Sequence, residues 1–157
     1  MVLGVSSRIV LACALAAGLP VWGQFSSAYR ALGQPDLRRN GVNMVQGLGM
    51  NGPGGIASDF RHGEVHLYIS DARNHRVLAW RDARAFQTGD SPALILGQPS
   101  PQSSAPRGIG ARGFNTPLGL AVDPANGNLY VVDSGQNRVL RFPSPFDNLS
   151  RVEPDKV

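Results

Sequence analysis

Across residues 117–142, PLGLAVDPANGNLYVVDSGQNRVLRF, apolar and polar positions alternate in three short runs. Leu118, Leu120 and Val122 make the first. Leu129 and Val131 set against Tyr130 and Val132 make the second, and Val139 set against Leu140 and Phe142 the third. A period of two places successive side chains on opposite faces of an extended chain, so each run predicts a half-buried strand. Between the first two lies Asp123-Pro124-Ala125-Asn126-Gly127-Asn128, whose Asn-Gly suits the positive φ of a tight hairpin. Between the second and third lies Asp133-Ser134-Gly135-Gln136-Asn137, where the Asp133 carboxylate can accept backbone N–H bonds. The three runs predict an antiparallel meander.

The pattern occurs twice. Upstream, residues 53–80 carry Pro53, Gly55, Ile56, Ala57 and Asp59, then Leu67, Tyr68, Ile69 and Asp71, then Asn74, Arg76, Val77, Leu78 and Trp80. Leu-Gly-Gln-Pro at 32–35 recurs at 96–99, an offset of 64 that holds through Asp59 and Asp123. The next turn is two residues longer in the first copy, after which the offset is 62, as in Tyr68 with Tyr130 and Arg76 with Arg138.

The recurring P-x-G-[IL]-A, L-Y-[IV]-x-D and N-R-V-L elements resemble the NHL repeat, and the Leu-Gly-Gln-Pro module resembles a bacterial variant of that family with long inter-strand loops. The resemblance spans roughly residues 31–142. It implies an all-β fold, a β-propeller with one four-stranded blade per repeat. It implies no single activity, because relatives include lyases, receptor sensor domains and RNA-binding modules. On this reading the chain is a partial β-propeller of two four-stranded blades. Repeat one covers about residues 31–92 and repeat two about 93–157. Residues 93–99 would form the outer strand of the first blade, and residues 28–35 an N-terminal outer strand that seals a ring. A closed ring typically has at least four blades. Residues 24–157 therefore read as an incomplete propeller, the N-terminal part of a longer one, with two or three self-associating chains as the alternative.

Ahead of the repeats, residues 1–23 carry Arg8, the apolar run 9–19, Pro20 and then Val21-Trp22-Gly23. One positive charge, an apolar run too short to span a bilayer comfortably, and a small residue before the cut predict a signal helix removed after Gly23. The expectation is a secreted or periplasmic protein with no membrane span after cleavage. The single cysteine, Cys13, leaves with the signal, which excludes disulfides and thiolate chemistry from residues 24–157.

The formal net charge of the whole chain is +4, and Lys156 is the only lysine among its cations. That balance is too mild for a nucleic-acid coat, so no nucleic-acid partner is expected. Strand direction gathers residues 35–51, 71–75, 99–115 and 133–137 on one face. Arg38, Arg39, Arg73, His75, Arg107 and Arg112 fall there as candidate ligand-binding residues. Arginine forks in Gly-rich loops suit a protein or anionic peptide, a polysaccharide or a phosphate group, although loop arginines are commonly solvated or bonded to loop carbonyls. Asp71 with Arg76 and Asp133 with Arg138 recur at fixed spacing, and that repetition assigns them to the turn structure rather than to catalysis.

No metal ligand set and no cofactor is identified. His62 and His66 have zinc-like spacing, but His75 lies in the opposite turn, and the three histidines read as exposed turn residues. The resemblance leaves a second function open, a metal-dependent lyase or hydrolase whose divalent metal would sit near the axis of a complete propeller.

Overall fold

The computed structural model describes residues 27–41, 48–61, 63–108, 110 and 112–149. The predicted signal helix, its cleavage point and the end of repeat two lie outside them. The described residues form seven strands in two antiparallel sheets. β1 (Pro53–Asp59), β2 (His66–Asp71), β3 (Arg76–Trp80) and β4 (Leu94–Leu96) make the first sheet in sequence order. β5 (Pro117–Val122), β6 (Leu129–Asp133) and β7 (Arg138–Phe142) make the second. The two sheets are two blades of a partial β-propeller. The second has three strands rather than the expected four among the described residues, because only β4 pairs on the outer edge of a third strand.

The repeat is kept down to its irregularities. The β1–β2 register shifts between Pro53 and Ile56, and the β5–β6 register shifts at the equivalent Pro117 and Leu120. Such a bulge re-aims the start of the inner strand. Short 3-10 turns at Ala72–Asn74 and Ser134–Gln136 link the second and third strands, each closed by a left-handed residue, His75 or Asn137. Gly127 alone supplies the positive φ in the 123–128 turn, where its N–H donates to the Asp123 carbonyl at 2.7 Å.

The period-two pattern gives each sheet two apolar faces, and the blades stack one face on another. Tyr68, Val77, Ala79 and Leu96 from the first sheet meet Leu129, Val131, Leu140 and Phe142 from the second, with Phe114 and Phe146 closing the layer. Each fully buried aliphatic side chain in this layer contributes about 1.5–3 kcal/mol. Near the axis the approach is closer still. A Cβ on Gly55 would lie 2.3 Å from the Leu118 carbonyl oxygen, and the Ser70 hydroxyl donates to that oxygen at 2.8 Å. Only glycine lets the two inner strands come together there.

The Leu-Gly-Gln-Pro modules have a shared architecture. Gly33 and Gly97 both have positive φ, and the equivalent residues Met50 and Phe114 lie where their Cβ atoms would be. Gln34 donates to the Gly41 carbonyl, and Gln98 to the equivalent Ala105 carbonyl, folding each long loop back on its module. Gln98 also donates to the carbonyls of Asn74 and His75, which ties the second loop to the first blade.

The N-terminal module is not the strand that its sequence predicts. Residues 32–36 form bends, and the Ala31 N–H is held by the Thr88 hydroxyl at 3.1 Å. A strand needs a neighbouring edge to satisfy its backbone. β4 finds that edge on β3, whereas residues 28–35 have none among the described residues. Leu32 nonetheless packs on Met50, Leu67, Leu78 and Trp80, at the far face of the first blade.

Gly97→Ala is expected to lower unfolding free energy by about 3 kcal/mol in urea titrations, because φ is +88° and Phe114 occupies the Cβ position. Gly108→Ala, with nothing within 4 Å, is expected to change it by less than about 1 kcal/mol.

Candidate functional site

One end of the blades is organised by a buried ion pair that recurs in each repeat. The Asp71 carboxylate accepts from the Asn51 N–H (2.6 Å), the Asn74 amide (2.8 Å) and Arg76 Nε (2.7 Å). Arg76 is fully buried and donates onward to the carbonyls of Gly49 (2.8 Å) and Pro101 (2.6 Å). In the second blade Asp133 accepts from the Asn115 N–H (2.7 Å) and Arg138 Nε (2.9 Å). Arg138 reaches the carbonyls of Gly110 and Gly113, both at 2.9 Å. Each pair thus anchors the long loop that precedes its blade, and Arg76 also holds the loop that follows.

Two of the candidate arginines, Arg39 and Arg107, line different pockets. Arg39 pairs with Asp36 at 3.2 Å and lines a small pocket of about 100 Å³ with Gly33, Gln34 and Pro35. The Arg38 N–H donates to the Asp36 carboxylate. The Arg73 side chain lies over Gly52. Arg38, Arg73, Arg107 and Arg112 are all exposed.

Arg107 lines a different, open depression of about 470 Å³, with Pro106, Gly108, Asn115, Gly135, Gln136 and Asn137. Its backbone is fixed on both sides: the N–H donates to the Phe114 carbonyl, and the carbonyl accepts from the Gln136 amide at 2.9 Å. Among the described residues no carboxylate lines the depression. Asp71 and Asp133, the aspartates nearest in sequence to the two turns, are buried and consumed by their own arginines. Asp36 pairs with Arg39 at 3.2 Å, and Arg38, Arg73, Arg107 and Arg112 are exposed in the loops and turns gathered here.

His75 joins the two blades. Its Nδ1 accepts the Thr116 N–H at 2.9 Å, which fixes the proton on Nε2. Thr116 has φ 56°, a costly conformation for a β-branched residue, and this bond helps hold it. Burial holds the His75 pKa below 6.5, against the opposing pull of Asp133 and Asp71. His66 is not the exposed turn residue its position predicts. It is buried under Phe146, ring centroids 4.4 Å apart, with Nδ1 3.7 Å from Asp59. The reason is that β2 begins at His66, on the face that receives the second blade. His62 lies outside the described residues. Among the described residues no three of His, Cys, Asp or Glu are grouped to hold a metal ion.

Sequence reasoning missed an interblade clasp at the opposite end. Arg61 Nη2 donates to Asp59 (2.8 Å), Ser144 (2.8 Å) and Asp147 (3.3 Å), and its guanidinium rests on Gly127. Burial pushes the Asp59 carboxyl up, but the bonds and charge of Arg61 outweigh it and hold the pKa below its ordinary value. The signal was present: Arg61 belongs to the turn that is longer in repeat one than in repeat two.

Antiparallel blades stacked on a common core, each with the same ion pair at the same end, define the class as propeller repeats. Within that class, residues 114–142 match the NHL repeat, a segment running from Phe114 through all three strands of the second blade. No curated protein matches the chain.

Arg76→Leu, which strands a buried carboxylate, is expected to cost about 3–5 kcal/mol, whereas Arg39→Ala, at an exposed pair, is expected to cost less than about 1 kcal/mol. Chemical denaturation of the two variants checks both. His75 gives a pH dependence. The unfolded histidine protonates near 6.5 and the folded one lower, so its contribution is complete above about pH 6.5 and is lost as pH falls toward the folded value. Denaturation midpoints between pH 7.5 and 5 should therefore fall more for the native chain than for His75→Asn, which cannot titrate.

Proposed function

We propose that the chain is an exported propeller segment that serves as a binding or scaffold module, with the anchored loop face as its contact surface. Its ligand is an anionic peptide or polysaccharide. The single observation supporting this reading is the open depression beside Arg107. Among the described residues it is lined by a cation, the side-chain amides of Asn115, Gln136 and Asn137, and no carboxylate, on a backbone held by Arg138 and Gln136. A ligand carboxylate there would accept from the guanidinium in the bidentate geometry that gives arginine its selectivity. The loop anchors support binding in a second way, because a surface fixed before contact loses little conformational freedom on association. Export is supported by the pattern of residues 1–23.

Polyglutamate and polygalacturonate serve as probes. The full chain, recovered outside the cytoplasm with its N-terminus at Gln24, is expected to bind at least one of them in low salt, and Arg107→Ala to weaken that binding about tenfold, a loss near 1.4 kcal/mol. Full binding by Arg107→Ala with native unfolding behaviour would refute the role of this depression.

A further inference from the structure

Asn-Gly occurs three times in the chain, at 40–41, 51–52 and 126–127. The dipeptide has a chemistry of its own. The glycine nitrogen, once it has given its proton to solvent, attacks the carbonyl carbon of the asparagine side chain. A C–N bond forms and closes a succinimide, the bond to the side-chain nitrogen breaks, and ammonia leaves with a proton from solvent. Water then opens the ring at either carbonyl and leaves aspartate or isoaspartate, with one new negative charge. Glycine sets no side chain in the path of the attack. The fold therefore controls the rate through three groups: the glycine N–H, the side-chain amide and the peptide between them.

Exposure does not separate the sites, since Asn40 and Asn126 are both exposed. Hydrogen bonding does. At 126–127 every reacting group is held: the Gly127 N–H donates to the Asp123 carbonyl (2.7 Å), the Asn126 amide donates to the Asp123 carboxylate (2.7 Å), and its oxygen accepts from the Asn128 N–H (2.9 Å). At 51–52 the backbone is pinned on both sides. The Asn51 N–H donates to Asp71, the Asn51 carbonyl accepts from the Arg73 N–H at 3.0 Å, and the Arg73 side chain lies over Gly52. At 40–41, among the described residues, neither the Asn40 side chain nor the Gly41 N–H has a hydrogen-bond partner. A Cβ on Gly41 would meet nothing within 4 Å.

The free site lies where a change has consequences. Arg39 adjoins it, and the Gly41 carbonyl is the group through which Gln34 folds the first long loop back on its module, at 3.0 Å. In the second module the equivalent residues are Ser104 and Ala105, which have no side-chain amide to lose. We propose that Asn40 is a self-modification site: it deamidates in the folded protein, whereas Asn51 and Asn126 are protected. The product places a carboxylate beside Arg38 and Arg39. Isoaspartate also adds one carbon to the backbone just ahead of the carbonyl that Gln34 holds, which loosens the fold-back of this loop alone.

The test incubates the full chain in mildly alkaline buffer, with and without denaturing urea. Peptide mapping by chromatography and mass spectrometry follows each dipeptide and separates aspartate from isoaspartate. The expected native rate at Asn40 is at least about tenfold that at Asn51 or Asn126, with the three rates in urea within about threefold of one another. Asn40→Gln, whose longer side chain disfavours ring closure, is expected to suppress the acidic species seen on isoelectric focusing and to leave the denaturation midpoint unchanged. A native rate at Asn40 no greater than at Asn126 would overturn the proposal, as would a native ratio that persists unchanged in urea. So would an acidic species that accumulates equally in Asn40→Gln.

Discussion

A β-sheet that is apolar on both faces cannot stand alone in water, and every other feature of this molecule follows from that constraint. The alternating runs of each repeat give its sheet two such faces. One blade buries one face of the other, and the shared layer from Tyr68 and Val77 across to Leu140 and Phe142 is the largest core in the described residues. Glycines at 55 and 97 sit where the stacked elements approach too closely for a side chain. Polar groups cross the seam as well, among them His75 to Thr116, Ser70 to Leu118, and Arg61 to Ser144. Packing supplies the attraction, and these bonds fix the register between blades.

The buried Asp–Arg pair turns this scaffold into a presenting surface. Long Gly- and Pro-rich loops have many conformations, and ordering them is costly. Asp71 and Asp133 hold the end of each loop where it enters the blade, and Arg76 and Arg138 hold its carbonyls. The same bonds neutralise the face's buried carboxylates and leave the positive charge of the unrepeated arginines outward. The turn pair that recurs in both repeats thereby helps determine where charge is displayed.

The sequence made some of this legible and hid the rest for physical reasons. Strand positions, turns and the alternation of faces follow from a two-residue period, and the repeat placed Asp71–Arg76 and Asp133–Arg138 in equivalent turns. Spacing does not reveal which edge a strand will find: the pattern of residues 28–35 predicts a strand, whereas residues 32–36 form bends. Nor does it reveal cross-blade partners. The turn position of His66 predicts exposure, yet the ring is buried under Phe146, 80 residues further along the chain. His75 and Arg61 likewise meet groups on the other blade. Nor does spacing reveal that Arg39 and Arg107 line different pockets.

Native-state hydrogen exchange tests the central claim, that the two repeats form one stacked unit rather than two adjacent sheets. The slow amides of β2 and β3 and those of β6 and β7 should report a single opening free energy and lose protection together in denaturant. A second blade whose amides exchange through a separate, weaker opening, with the first blade still closed, would contradict it.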